Sequence, residues 1–167
     1  VKPNNAGSSF GISKVKTKGE MIPAIEKAFK EDSQILIEAF LDGPEITIGV
    51  IEFEGKIKVL PMTEIVTEND FFDYEAKYLG QSQEITPARI SKEQETMVRK
   101  VSKHVYEILK MEGFSRSEYI FKDGKPHLIE VNTVPGLTKE SILPQQAAAA
   151  GISLSDLFEN AIKEALK

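Results

Sequence analysis

The sequence predicts an α+β protein whose mainly antiparallel sheets are flanked by helices. Three observations carry this. Short β-favouring runs follow one another with only turns between them, "QILIEAFL" (34–41), "EITIGVIEF" (45–53) and "GKIKVLPM" (55–62), a meander that suits antiparallel pairing. A second hairpin is written as "SEYIF" and "PHLIEVN" around Asp123–Gly124, a dipeptide suited to tight turns. Residues 20–30, a segment opening at Ser91 and residues 153–166 space their apolar side chains as helices do.

The elements follow in order. Val1–Lys2 reads as the end of a strand, "PNNAGSSFG" (3–11) as a Gly/Ser/Asn loop and "ISKV" (12–15) as a resumed strand. The helix at 20–30 places Ile22, Ile25 and Phe29 on one face and tolerates Pro23 near its start. The run 34–41 reads as a buried strand, 42–44 as a turn, and 45–53 and 55–62 as the next two strands. Residues 67–88 are aromatic and charged without clean periodicity, a long excursion of the kind that carries function. Ser91 and Gln94 form a capping box. The helix behind them sets Met97, Val101, Val105 and Ile108 in a stripe and ends at Gly113. In the last helix Leu154, Leu157, Phe158, Ala161, Ile162 and Ala165 face the core. A boundary near 54 to 62 divides a first lobe, 1–54, from a second, 55–167. The chain opens at Val1 in the middle of a strand-and-loop pattern, so it is expected to be a fragment lacking an N-terminal part.

Composition narrows the function. With 41% hydrophobic and 28% charged residues, the 167-residue chain can bury a core as one large domain or two small lobes. A net charge of −5 argues against a nucleic-acid partner. The absence of cysteine excludes disulfides and thiolate metal sites, and two histidines argue against a His-rich zinc site. His104 and His127 read as structural or exposed. No apolar run approaches the ~18 residues of a membrane helix, and no signal-peptide pattern is present. The expected compartment is the cytoplasm, with no membrane partner.

Several stretches can carry chemistry. Residues two apart in a strand share a face, about 7 Å from one another, so Glu130 and Asn132 project together. The apolar pattern places Tyr119, Phe121, Ile129 and Val131 on one face of the hairpin, and Glu118, Leu128, Glu130 and Asn132 on the other. For Glu118 to join Glu130 the connecting loop needs an odd residue count, because a two-residue Asp-Gly turn sets the other register. Two carboxylates and an amide oxygen suit Mg²⁺; a solvated polar sheet face is the alternative. Gly7, Ser8, Ser9 and Gly11, with Lys2 before them, can line an anion or form an ordinary loop. The backbone of "IEAFLDGPE" can read an adenine edge with Glu45 on the ribose, or it is a plain connection. Lys77 and Tyr78 lie side by side in the excursion, where a lysine can close over a phosphate or stay solvated. Arg116 shares a face with Glu118 and can meet a metal-held anion or simply pair with that carboxylate. The turn at Gly136 offers backbone amides to a carboxylate or oxyanion.

Lys2 with "GSSFG", then "LIEAFLDGPE", "DYEAKY", "RSE" and "LIEVNTVPGLTKES" follow in that order. The set resembles the D-alanine–D-alanine ligases of the ATP-grasp superfamily, over essentially the whole chain and as the C-terminal half of such an enzyme. The resemblance implies an ATP-grasp fold with 1–54 as part of the central lobe and 55–167 as the C-terminal lobe, carrying an ω-loop at 67–81. It implies ATP-dependent joining of two D-alanines through a D-alanyl phosphate, for peptidoglycan precursors and hence the cell wall. ATP, two Mg²⁺ ions (Mn²⁺ substituting) and a homodimeric full-length enzyme come with it. Lys2 then contacts phosphates under the Gly7–Ser8–Ser9 loop. Glu38, Ala39, Phe40 and Leu41 hold adenine, Glu45 the ribose, and Lys77 the γ-phosphate. Tyr78 lies near the second substrate, and Ser8 and Tyr78 join Arg116 and Gly136 around the reacting centre. Glu118, Glu130 and Asn132 are the magnesium ligands, and Ser141 and Ile142 take the second substrate's carboxylate. Glu118 departs from the usual Asp of the family, and Asn4–Ala6 and Phe10 differ from its common versions. The chain alone is expected to lack ligase activity. A D-alanyl-D-lactate ligase is the near rival, although such members tend to carry Phe at the position of Tyr78. A noncatalytic nucleotide-binding module is the rival from another class.

Overall fold

The computed structural model describes residues 1–7, 9–67 and 82–166. They fall into two compact units, Val1–Leu41 with Thr67–Gln83, and Asp42–Val66 with Glu84–Lys167. The expected division at 54 would cut a hairpin and strip the second unit of its central strand, so the break lies at Leu41 instead.

In the first unit β1 (Lys2–Pro3) pairs antiparallel with β2 (Ile35–Leu36), beside helix α1 (Lys18–Phe29). The run 12–15 is not a strand. Its backbone is tied locally: Val1 and Ser13 exchange two hydrogen bonds of 2.9 Å, and Lys27 Nζ donates to the Ile12 carbonyl. The run 34–41 is neither buried nor all strand. Its partner β1 is only two residues long, and Ile37 and Phe40 are 58% and 46% exposed. Helix α1 buries the small residues Ala24 and Ala28, leaves Ile25 half-buried and exposes Ile22 and Phe29, so its buried face is turned away from the expected one.

The second unit holds β3 (Glu45–Phe53), β4 (Lys56–Val59), β5 (Thr63–Thr67), β6 (Ser82–Ile85), β7 (Phe114–Lys122) and β8 (Lys125–Asn132). Its helices are α2 (Lys92–Ile108), α3 (Ile142–Ala149) and α4 (Leu154–Ala165). Strands run in the order β6–β5–β3–β7–β8, and β4 also pairs with β3. Strands β5 and β6 fall where the sequence shows no alternation to predict them. Alternation along β3 sends Ile46 and Ile48 to one face, where they pack with Val98 of α2, Tyr119 and Phe121. Ile51 lies on the other face with Leu60, Leu143, Ala147 and Leu157. A helix layer thus covers each face of the sheet.

Along one edge of β3, β5 pairs with residues 45–47 and β4 with 50–53. The step between them centres on Gly49, whose carbonyl accepts from Leu60 N–H at 2.9 Å. The fully buried Gln146 completes the step. Its Oε1 accepts from Gly49 N–H at 2.8 Å, and its Nε2 donates to the Thr47 carbonyl at 2.9 Å and to Thr63 Oγ1 at 3.0 Å. A side chain stands in here for missing strand pairing.

Helix α2 carries the expected Ser91–Gln94 capping box. Its buried positions, however, are Val98, Ser102 and Tyr106, while Val101 and Ile108 face outward. Ser102 turns inward because its hydroxyl meets the buried Tyr119 hydroxyl at 3.0 Å. The helix ends before Gly113: Lys110 adopts φ 50°, and Lys110 and Met111 N–H bond back to Glu107 and Tyr106, a Schellman closure. Helix α4 buries Leu157 and Asn160 and exposes Phe158, Ile162 and Ala165. Asn160 is inward because it donates to the Glu52 carbonyl at 2.7 Å and accepts from Glu54 N–H at 2.9 Å.

Candidate active site

The β7–β8 hairpin sets the acidic face of the second unit. Its turn is the strict two-residue form: Lys122 faces Lys125, and Asp123 and Gly124 both have positive φ, 52° and 73°, as a type I′ turn requires. An odd loop is therefore absent. The odd residue comes from a β-bulge instead. Tyr119 faces Leu128, but Glu118 faces Glu130, leaving Ile129 as the extra residue of β8. The expected pairing of Glu118 with Glu130 is met by a different route. Leu128 consequently lies on the Tyr119 side rather than beside Glu130.

Above the bulge Arg116 faces Asn132, so Arg116, Glu118, Glu130 and Asn132 share one face. Glu118 is 7% exposed, and its Oε1 accepts from Arg116 Nη2 at 2.6 Å. Both partners are shielded, a setting in which such a pair is strong once formed. Asn132 Oδ1 accepts from Val134 N–H at 3.1 Å, which fixes the amide. On the same face Thr47 lies opposite Glu118. Among the described residues two buried side-chain atoms have no hydrogen-bond partner, Thr47 Oγ1 and Arg116 Nε, and both belong to this face. An unmet guanidinium donor beside two carboxylates suits an oxyanion held with a cation. The carboxylates and the Asn132 amide oxygen are hard donors of the type Mg²⁺ takes.

Beyond β8 the chain turns at Gly136, where a Cβ would come 2.8 Å from Ser141 Oγ. That hydroxyl accepts from Thr138 N–H at 3.2 Å and meets Thr138 Oγ1 at 2.8 Å. Ser141 precedes the first turn of α3, and Ile142 is buried behind it. Glu45 opens β3 opposite Ile120 and Ile65. Glu84, on β6, was missed by sequence reading. Burial pushes its carboxyl above the ordinary range, while the nearby Arg116 charge and a 3.4 Å bond from Gln145 Nε2 oppose the shift.

In the first unit Lys2 Nζ pairs with Glu38 Oε2 at 2.7 Å, joining the expected phosphate contact to the expected adenine segment 38–41. Lys14 Nζ stands 3.8 Å over the Phe40 ring; nothing in "ISKV", read as a strand, pointed to it. Gly7 has open space around it, and Ser9 adopts φ 60°. Ser8, Lys77, Tyr78 and 68–81 of the ω-loop lie outside the described residues. His104 and His127 are exposed. Among the described residues no helix is long and apolar enough to cross a membrane.

Comparison with known proteins gives one answer. The family described as D-ala D-ala ligase C-terminus matches residues 1–163. The D-alanine–D-alanine ligase of Flavobacterium johnsoniae is 65% identical over 166 residues, 99% of this chain and 51% of that protein. The ATP complex of the Bacillus anthracis D-alanine–D-alanine ligase matches at 34% identity with a TM-score of 0.81, over 99% of this chain and 51% of the other. The VanG D-Ala:D-Ser ligase of Enterococcus faecalis matches at 35% identity with a TM-score of 0.84, over 97% and 48%. The chain spans about half the length of the relatives it matches.

Proposed function

The chain belongs to the D-ala D-ala ligase C-terminus family and has the α+β ATP-grasp fold of its structural relatives, and from that premise we propose that it serves the ATP-dependent ligation of two D-alanines. The observation that carries the reading is the Glu118–Glu130 pair brought into register by the bulge, with Arg116 Nε left without an acceptor. The relatives' names support the substrate, and the ATP complex of the Bacillus anthracis enzyme supports the nucleotide.

Each residue has a physical task in this reading. Lys2, Gly7, Ser8, Ser9 and Lys77 place positive charge and N–H donors around the nucleotide phosphates. Glu38, Ala39, Phe40 and Leu41 present backbone groups to adenine, and Glu45 accepts from the ribose hydroxyls. Glu118, Glu130 and Asn132 would hold magnesium, with manganese as a substitute; once bound, the ion would offset charge on the phosphate oxygens. A D-alanine carboxylate oxygen takes the γ-phosphoryl group of ATP and ADP leaves; the amine of a second D-alanine then attacks the acyl carbon, phosphate leaves, and the amine nitrogen gives up a proton to solvent. Arg116, locked by Glu118 through one nitrogen, keeps Nε for the oxyanion of that step, joined by the Gly136 amide. Ser141 and Ile142 receive the second substrate's carboxylate at the α3 start, and Tyr78 and Ser8 complete the reacting centre. The ω-loop at 67–81 belongs to the same reading. So do a cytoplasmic, homodimeric enzyme and a role in peptidoglycan precursor synthesis.

The test is D-alanine-dependent phosphate release from ATP by the whole enzyme, with the product identified by mass. Equal amounts of phosphate and D-alanyl-D-alanine are expected. Exclusive formation of a D-lactate ester or a D-serine dipeptide, in competition with D-alanine, would replace the proposed product. ATP binding without D-alanine-dependent turnover would favour the noncatalytic module.

A further inference from the structure

We propose that Lys14 is a positioning residue for the nucleotide base, acting through the Phe40 ring. The proposal rests on the reading of residues 38–41 as the adenine-holding segment. Val1 and Ser13 exchange two backbone hydrogen bonds of 2.9 Å and so bring the ends of the intervening loop together. A lysine follows each end. Lys2 Nζ reaches Glu38 Oε2 at 2.7 Å, and Lys14 Nζ lies 3.8 Å from the centroid of Phe40. Both grips fall on one short stretch of chain that lacks strand pairing, since β2 ends at Leu36 and β3 begins at Glu45. Phe40 is 46% exposed, so packing alone does not fix it.

The two grips differ in what ligand does to them. A lysine that takes a phosphate has to leave or share its carboxylate, so nucleotide binding weakens the hold of Lys2 on Glu38. The hold of Lys14 on the Phe40 ring does not run through Glu38, so the ring is not released when Lys2 turns to phosphate. Lys14 therefore holds Phe40 independently of the Lys2–Glu38 pair and keeps the backbone of residues 39–41 in place to read the adenine edge. Preorganising that backbone lowers the ordering cost of binding the base and leaves the phosphates unaffected.

The experiment is calorimetric titration of the protein with ATP and, separately, with inorganic tripolyphosphate. Lys14→Ala is expected to weaken ATP about 3- to 10-fold, the range of a partly exposed cation–π contact, with tripolyphosphate unchanged within twofold. Lys14→Arg, which can also stack on the ring, restores ATP affinity. Phe40→Leu gives the same loss as Lys14→Ala, and the double variant loses no more than either alone. The tripolyphosphate titration doubles as the folding control. Equal loss for both ligands would make Lys14 a phosphate ligand and overturn the proposal, as would no loss for ATP or an additive double variant. A wild-type protein that binds tripolyphosphate as tightly as ATP would overturn the adenine reading itself, and the role of Lys14 with it.

Discussion

Replacing Gln146 by methionine should unfold the second unit far more readily than its place in an alanine-rich helix suggests. The side chain is fully buried and bonds to Gly49 N–H, the Thr47 carbonyl and Thr63 Oγ1 at 2.8, 2.9 and 3.0 Å. Methionine fills a similar volume, so the cavity contribution is small. Thr63 Oγ1 keeps its 2.6 Å contact with Thr86 Oγ1. The two backbone groups have no such substitute, because they lie at the step where β5 stops and β4 has not yet begun. Each orphaned buried group costs about 1–3 kcal/mol, so the loss is about 2–6 kcal/mol, much of the stability of a typical domain. Urea denaturation should show the midpoint falling by on the order of 1–2 M, at the slopes of about 1–3 kcal/mol/M usual for small domains. Glutamate at 146 still accepts from Gly49 N–H but, when ionised, faces the Thr47 carbonyl. Its penalty should shrink at acid pH. A Gln146→Met midpoint within ~0.3 M of wild type at unchanged slope would refute the view that this side chain replaces strand pairing.

Three further outcomes are expected. Glu130→Gln keeps the fold, because the side chain is exposed, but should lower D-alanine-dependent phosphate release by the whole enzyme at least ~100-fold, the scale of losing one charge-stabilising group; near-normal turnover would remove Glu130 from the reacting centre. Gly49→Ala would press a methyl to 2.7 Å from Leu143 Cδ1 and 2.9 Å from Leu60 Cδ1 and Gln146 Oε1, so thermal denaturation should show a loss of about 1–3 kcal/mol. Glu64 is held below its ordinary 4.5, first by the hydrogen bond from Arg89. A carboxyl lowered in the folded state adds stability above its unfolded value and loses it as pH falls through the folded one. Glu64→Gln should therefore lower Tm near neutral pH, with the gap to wild type closing in acid; a gap independent of pH would contradict this.

The chemistry-bearing residues and the strand meander could be read locally, because alternation, turn dipeptides and capping boxes are properties of neighbours. The phase of the helices could not. Ser102 and Asn160 are polar, and a pattern reading turns polar residues outward. They point inward because Tyr119 and the β3–β4 turn offer partners 17 and 106–108 residues away. The strand read at 12–15 failed for a related reason. Among the described residues no strand pairs with it, and Val1 and Lys27 bond to its backbone instead. At the site, alternation correctly joined Glu130 to Asn132 and Arg116 to Glu118, since each pair lies within one strand. Relating β7 to β8 needed the bulge, which "HLIEVN" does not announce.

That bulge bears on which changes of length the hairpin can absorb. Below it, paired positions add to 247, as in Tyr119 with Leu128; above it they add to 248, as in Glu118 with Glu130. Removing Ile129 would merge the two ladders into one and still leave the two glutamates opposite each other. Removing a residue from the turn at 123–124 would offset every pair beneath the stagger. Lineages carrying this hairpin should therefore tolerate deletions near the carboxylates better than deletions at the distant, solvent-facing tip, the opposite of the usual expectation that variation in length collects in turns.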